Sequence, residues 1–242
     1  MIRAEKLTKR YRDLVAVDAL TFEVPEGAVL GFLGPNGAGK SSTMRMLTGA
    51  LPPTEGRAVV AGYDVFEAPL EVKRRVGYLP EHPPLYEDLS VAAYLRFVAA
   101  LKGLPRSRRR TEAERVAERA GVAHVLRRRI GNLSKGYRQR VGIAQALIGA
   151  PPVLILDEPT VGLDPGQIRE VRELIRSLGG EHTVVLSTHI LAEVAMVCQR
   201  VLIIHRGKKV ADDSLEALKR RHEEAAGRTM SLEEIFLELI RE

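Results

Sequence analysis

With 242 residues, 45% of them hydrophobic and 28% charged, the chain has the composition of a globular protein, which excludes a disordered or fibrous one. Its formal charge of +6 raises a nucleic-acid or anionic-membrane partner, yet the basic residues fall in three runs that read first as solvated helix faces: Arg106 with Arg108 to Arg110, Arg127 to Arg129, and Lys208 to Arg221. One cysteine, Cys198, excludes an internal disulfide and a cysteine metal cluster, and fits a small buried residue.

The first residues, MIRAEKLTKRYRD, are charged throughout and lack the apolar stretch of a signal peptide. No apolar run approaches the roughly 20 residues that cross a bilayer, so the expected location is the cytoplasm. Segments at Ala19 to Val24 and Val29 to Leu33 are β-like, and the second runs into a glycine-rich turn followed by a helix predicted from Lys40 to Leu47. That turn, GPNGAGKS at 34–41, fits the pattern GxxxxGK[ST] with Gly34, Gly39, Lys40 and Ser41 at its fixed positions. Glycines let the backbone curl until successive amide N–H groups and the positive helix end face a phosphate. The predicted nucleotide-phosphate-binding set is therefore Gly34, Pro35, Asn36, Gly37, Ala38, Gly39, Lys40, Ser41 and Ser42. Lys40 supplies a positive charge to the β- and γ-phosphates, and the Ser41 hydroxyl can ligate magnesium. Taken alone, such a loop equally suits a kinase or a GTPase.

Beyond it, three helical periods follow one another: Val91, Tyr94, Leu95, Val98 and Leu101; Ala113, Val116, Ala117 and Ala120; Val141, Ala144, Leu147 and Ile148. They predict a helical insertion from about Pro84 to Ala150. Short runs rich in branched residues at Val153 to Leu156, Val184 to Leu186 and Val201 to Ile204 then read as buried parallel strands. The first, VLILDE, delivers two acids at its C-terminal end, where parallel sheets bind ligands. Asp157 is the candidate magnesium ligand and Glu158 the candidate base for an attacking water, although adjacent acids also serve as helix caps. His189, after VVLST, lies one strand further on; the other five histidines read as satisfied structural residues. Near the end, Ser231 and Glu234 form a capping box before the apolar stripe Leu232, Ile235, Phe236, Leu239 and Ile240. One domain with two lobes accounts for this order.

LSKGYRQR at 133–140, together with the phosphate loop, the two acids, GLD at 162–164 and STH at 187–189, resembles the ATP-binding cassette of ABC transporters from Tyr11 to His205. The resemblance implies an α/β fold: a P-loop NTPase core with a mostly parallel sheet at 1–83 and 151–212, and an N-terminal antiparallel β part. It adds an inserted helical lobe at about 84–150 and a helical tail at about 213–242. It also implies that Ser134 and Gly136 cross a dimer interface to the γ-phosphate of ATP held by a second cassette, either a copy or a paralogue. On the same resemblance Asp164 lies in the loop joining the two sites, His189 orients phosphate and water, and Tyr11 stacks on adenine. Two departures stand out. Lys135 and Tyr137 replace the second glycine and the glutamine of the usual LSGGQ, and Glu81 of YLPE replaces a glutamine that meets magnesium.

VGYLPEHPPLYEDLS, LSKGYRQR and SLEEIFLEL further resemble ATPase subunits of exporters of the gliding-motility and multidrug-resistance type, which are chains separate from their membrane protein. The implied partner is an integral membrane permease at the cytoplasmic face, docking near Tyr78 to Tyr86, where Leu79, Pro80, His82, Pro83, Pro84, Leu85 and Tyr86 predict an apolar surface. The implied cofactors are ATP and Mg2+. An ABC ATPase acting on nucleic acid or the ribosome is the alternative raised by the basic runs, and a metal-cluster assembly ATPase is another; the single cassette favours the transporter, with no nucleic acid expected.

Overall fold

The computed structural model describes residues 1–240. A hairpin of β1 (Ile2–Tyr11) and β2 (Leu14–Val24) opens the chain, and β3 (Val29–Leu33) then feeds α1 (Lys40–Leu47). Next come β4 (Glu55–Val60), β5 (Tyr63–Asp64), α2 (Pro69–Arg75) and β6 (Val76–Leu79). The helices α3 (Val91–Leu101), α4 (Arg109–Arg119) and α5 (Lys135–Ala146) follow, with single 3-10 turns at Ala123–Val125 and Ile130–Asn132. The chain then alternates through β7 (Val153–Asp157), α6 (Pro165–Leu178), β8 (Thr183–Thr188), α7 (Leu191–Val197) and β9 (Arg200–His205). It closes with β10 (Lys208–Ser214), α8 (Leu215–Ala226) and α9 (Leu232–Leu239).

Two sheets result. The antiparallel one has the order β2-β1-β4-β5, and the larger has the order β10-β9-β3-β8-β7-β6. In the larger sheet every pairing is parallel except that of β10 with β9. β3, β7 and β8 are buried along their whole length, which explains their unbroken apolar runs: both faces are covered. Leu30 and Phe32 of β3 face a core shared with the antiparallel sheet and with Met44, Met46 and Leu47 of α1, while Val29 and Leu33 face the core under the helices. That second core takes the stripes Val91, Tyr94, Leu95 and Val98 of α3 and Ala113, Val116 and Ala117 of α4. A Cβ on Gly77 would lie 2.0 Å from the Ala146 carbonyl oxygen, so this glycine lets α5 close on β6.

Three expectations need correction. Of the basic runs, only Arg109 and Arg110 and the residues from Lys219 onward lie on helices; Lys208 and Lys209 are on edge strand β10, Arg127 and Arg128 lie in a turn, and Arg129 is extended and bridged to Ser90. The tail, expected to be helical from about 213, turns helical at Leu215, because Asp213 and Ser214 still pair with Val201 and Arg200. Leu79 is 0% exposed within β6 and offers nothing to an apolar surface. Cys198 is buried, and the capping box of Ser231 and Glu234 is formed; the last two residues of the tail lie outside the described residues. Among the described residues no helix is long and apolar enough to cross a membrane.

Candidate functional site

The loop after β3 opens into a cleft of about 470 Å³ at the C-terminal edge of the large sheet. Gly39 is the N-cap of α1 with φ 104, and a Cβ there would lie 2.3 Å from the Ala16 carbonyl oxygen, so only glycine serves. Asn36, Gly37, Gly39, Lys40, Ser41 and Ser42 line the cleft. Gly34, Pro35 and Ala38 support it from beneath: the Gly34 N–H donates to the Thr188 carbonyl at 3.3 Å, and the Ala38 N–H donates to the Pro35 carbonyl at 3.2 Å. Lys40 is 6% exposed, its Nζ donating to the Gly34 carbonyl at 2.8 Å and standing 3.3 Å from the Glu158 carboxylate.

β7 ends in Asp157, whose Oδ1 is buried and has no hydrogen-bond partner among the described residues. Burial pushes this carboxyl upward from the ordinary carboxylate range; the neighbouring Ser187 and Ser41 hydroxyls oppose the shift, and Glu158 and Glu81 reinforce it. Glu158 follows with φ 49, a left-handed conformation that costs a residue with a side chain roughly 1–2 kcal/mol. Its N–H donates to the Ser187 carbonyl at 2.8 Å, and both carboxylate oxygens lie 3.0 Å from His189 Nδ1. Glu81 and His189 sit on the cleft wall with Glu158. Tyr11 is half-exposed at the mouth, its hydroxyl 3.4 Å from Ser42 Oγ and the Lys9 ammonium 5.5 Å from its ring centre.

Thus Tyr11, the loop, Glu81, Glu158 and His189 converge on one cleft, with Asp157 just beneath. Ser134, Gly136 and Asp164 do not line it. Within one chain Ser134 caps α5 by accepting the Tyr137 N–H, and Asp164 caps α6 by accepting the Gln167 N–H at 3.0 Å. Gly136 packs under the Gln167 side chain, where a Cβ would approach within 2.4 Å, and Lys135 Nζ lies against Gly162. Ser41, Asp157 and Glu81 are hard oxygen donors, and the unpartnered Asp157 oxygen suits a small divalent cation that keeps waters and takes phosphate oxygens. Of the other histidines, His124, His182 and His222 have polar partners, but both ring nitrogens of His205 are buried without one among the described residues, contrary to expectation. Sequence reasoning passed over Thr160, Thr188 and Glu193, although a glutamate on the apolar side of LAEVAMV was a signal.

A second cavity, of about 520 Å³, lies between α2 and α3. Leu70, Pro84, Tyr86, Tyr94, Phe97 and Leu101 form its apolar walls, with Lys73, Arg74 and Lys102 at its edge. The Tyr86 ring is 52% exposed and stands 5.5 Å from that of Phe97, whereas Leu85 leans on the core. Lys102 Nζ donates to the Lys73 and Val76 carbonyls at 2.7 Å, tying the end of α2 to α3, and burial pulls this ammonium down to about 8.

The family described as ABC transporter matches residues 17–161. The bacitracin transport ATP-binding protein BcrA of Bacillus licheniformis is 40% identical over 92% of this chain and 72% of its own length. The daunorubicin resistance ATP-binding protein DrrA3 of Streptomyces coeruleorubidus is 39% identical over 90% of this chain and 69% of its own. Among solved structures, an ATP-binding subunit of an ABC transporter superposes with TM-score 0.86 at 30% identity, covering 99% of both chains. A dimeric ATP-binding cassette in a post-hydrolysis state with ADP and Pi shares the fold, with TM-score 0.81 at 23% identity over 89% of this chain and 99% of its own.

Proposed function

Because this chain belongs to the ABC transporter family, we propose that it is the ATP-hydrolysing subunit of an exporter, acting as one of two head-to-tail cassettes beneath a separate permease. The observation that carries this reading is the split of the site: the phosphate loop and the Glu158–His189 pair share a cleft, while Ser134, Gly136 and Asp164 lie outside it. A second cassette, copy or paralogue, would bring its own Ser134, Gly136 and Asp164 to this cleft and take the same from this chain. The exporter assignment rests on the likeness to a bacitracin transport ATP-binding protein and a daunorubicin resistance ATP-binding protein.

Hydrolysis then follows from charge. The amides of 34–39, the start of α1 and Lys40 attract the phosphates, and Tyr11 meets the adenine at the mouth. Lys40 trades the Gly34 carbonyl and the Glu158 carboxylate for phosphate oxygens, which leaves Glu158 free to take a proton from the attacking water. His189, against both Glu158 oxygens, orients that water and the γ-phosphate. Mg2+ would be held by Ser41, Asp157 and Glu81 and would neutralise phosphate charge. The large sheet and its partner sheet, at 1–83 and 151–214, form the core, and 84–150 is the lobe that carries Ser134 to the neighbour. A short apolar segment of the permease fits the groove at Pro84, Tyr86 and Phe97, which would hold the subunit at the cytoplasmic membrane face.

The test is Glu158→Gln. The amide keeps the shape and loses the base, so the variant is expected to bind ATP, hydrolyse it very slowly and form a dimer seen by light scattering with ATP and magnesium. A species that stays monomeric under those conditions sinks the shared-site reading.

A further inference from the structure

Glu193 of α7 is 1% exposed on a helix whose Val194 and Val197 belong to the core. A buried carboxylate is costly unless several donors hold it. Three side chains meet this one, each from a different part of the site. Thr160, in the turn that follows Glu158, donates its hydroxyl to one oxygen, and Thr188, the residue before His189, donates to the other at 2.8 Å. The Arg172 guanidinium reaches within 3.7 Å from α6, the helix that Asp164 caps.

The connections continue into the cleft. The Thr188 hydroxyl accepts the Ile190 N–H at 3.1 Å, and its carbonyl accepts the Gly34 N–H where the phosphate loop begins. Glu158 is held in its strained left-handed conformation at the start of the same turn that Thr160 anchors. Such a conformation persists only where the surroundings over-determine it. We propose that Glu193 is a positioning residue: it clamps the turn after Glu158 to the strand end before His189, fixing their 3.0 Å approach, and ties both to α6. The inference rests on the roles proposed for Glu158 and His189. Glu193 does not line the cleft; it acts through Thr160 and Thr188.

The experiment compares Thr160→Val, Glu193→Ala and Glu193→Gln with Glu158→Gln, measuring steady-state ATP hydrolysis, ADP affinity by calorimetry and the thermal melt. Thr160→Val keeps nearly the same shape and removes one clamp bond. It and Glu193→Ala are expected to lose roughly 10- to 100-fold in kcat, because small misplacements of reacting groups cost that much. ADP affinity and the KM for ATP should stay within about twofold, since the phosphate loop is untouched. Glu193→Gln should recover part of the loss, its amide accepting from one threonine and donating to the other. Normal kcat in Thr160→Val and Glu193→Ala, with Glu158→Gln inactive, overturns the clamp and leaves the site intact. Normal turnover in Glu158→Gln instead overturns the site assignment. If ADP affinity and melting cooperativity fall in step with kcat, Glu193 is a general fold residue and the proposal is wrong; should Glu193→Ala fail to fold, Thr160→Val decides alone.

Discussion

Asp157→Asn isolates the conflict between stability and catalysis at the end of β7. Asp157 is 2% exposed, one oxygen has no partner, and Glu158 is its covalent neighbour. An unsatisfied buried polar atom costs about 1–3 kcal/mol, and like charges nearby add to that. Asparagine keeps the shape, removes the charge and can donate to the Ser41 or Ser187 hydroxyl. The ligand-free variant is therefore expected to be more stable by about 1–3 kcal/mol, or about 2–4 °C in Tm for each kcal/mol in a protein of this size. Because burial raises the Asp157 carboxyl, folding favours its protonated form. The penalty is absent below the ordinary carboxylate range near 3.9, grows as the pH rises from there towards the raised folded value, and is complete above that value. The gain of Asp157→Asn should accordingly vanish at strongly acid pH and grow as the pH rises, as read from paired melts across pH without nucleotide. ATP hydrolysis should be lost, and magnesium should no longer add to the stabilisation that ATP gives. A ligand-free variant melting below the parent at neutral pH would refute the reasoning, because Asp157 would then be compensated by partners it was not seen to have.

Lys40→Ala should abolish hydrolysis, weaken ATP binding and lower the melt, because it leaves the Glu158 carboxylate buried without its cation, a loss of about 3–5 kcal/mol for a broken buried pair; near-normal turnover would overturn the phosphate-loop assignment. Tyr86→Asp should leave the melt and nucleotide titration unchanged while reducing co-purification with the membrane fraction, since the ring is 52% exposed and lines the groove. Leu85→Asp, by contrast, should destabilise the fold, because Leu85 packs against the core.

What could be read in advance depended on how locally each feature is encoded. β7 and β8 show as short branched runs because both of their faces are buried. β1 does not show: Ile2 and Ala4 alternate correctly, but a register shift between Ala4 and Leu7, with Lys6 at φ 47, breaks the period. β10 reads KKVADDS, with no residue buried, so its pairing with β9 leaves no hydrophobic trace. The phosphate loop is contiguous and therefore visible, and the acids at the end of VLILD follow from strand position. The 3.0 Å approach of His189 to Glu158 joins residues 31 apart in sequence, and only the parallel pairing of β7 with β8 creates it. Glu193 stayed hidden because a glutamate in a short helix normally marks the wet face, and here it marks the dry one.

Lys40 and Glu158 form a buried ion pair inside the cleft. Two opposite charges, each about 6% exposed, neutralise one another at 3.3 Å. Without that pair Glu158 would keep only its contact with His189 and would add a second buried anion beside Asp157. Phosphate is the ligand that can draw Lys40 away, since it offers the stronger anion at the mouth of the same loop. On the roles proposed above, Glu158 is released when the phosphate it serves has arrived. On those same roles, the phosphate-binding lysine and the water-activating glutamate are coupled by one ion pair, and Glu193 would hold, through Thr160, the turn on which that glutamate sits.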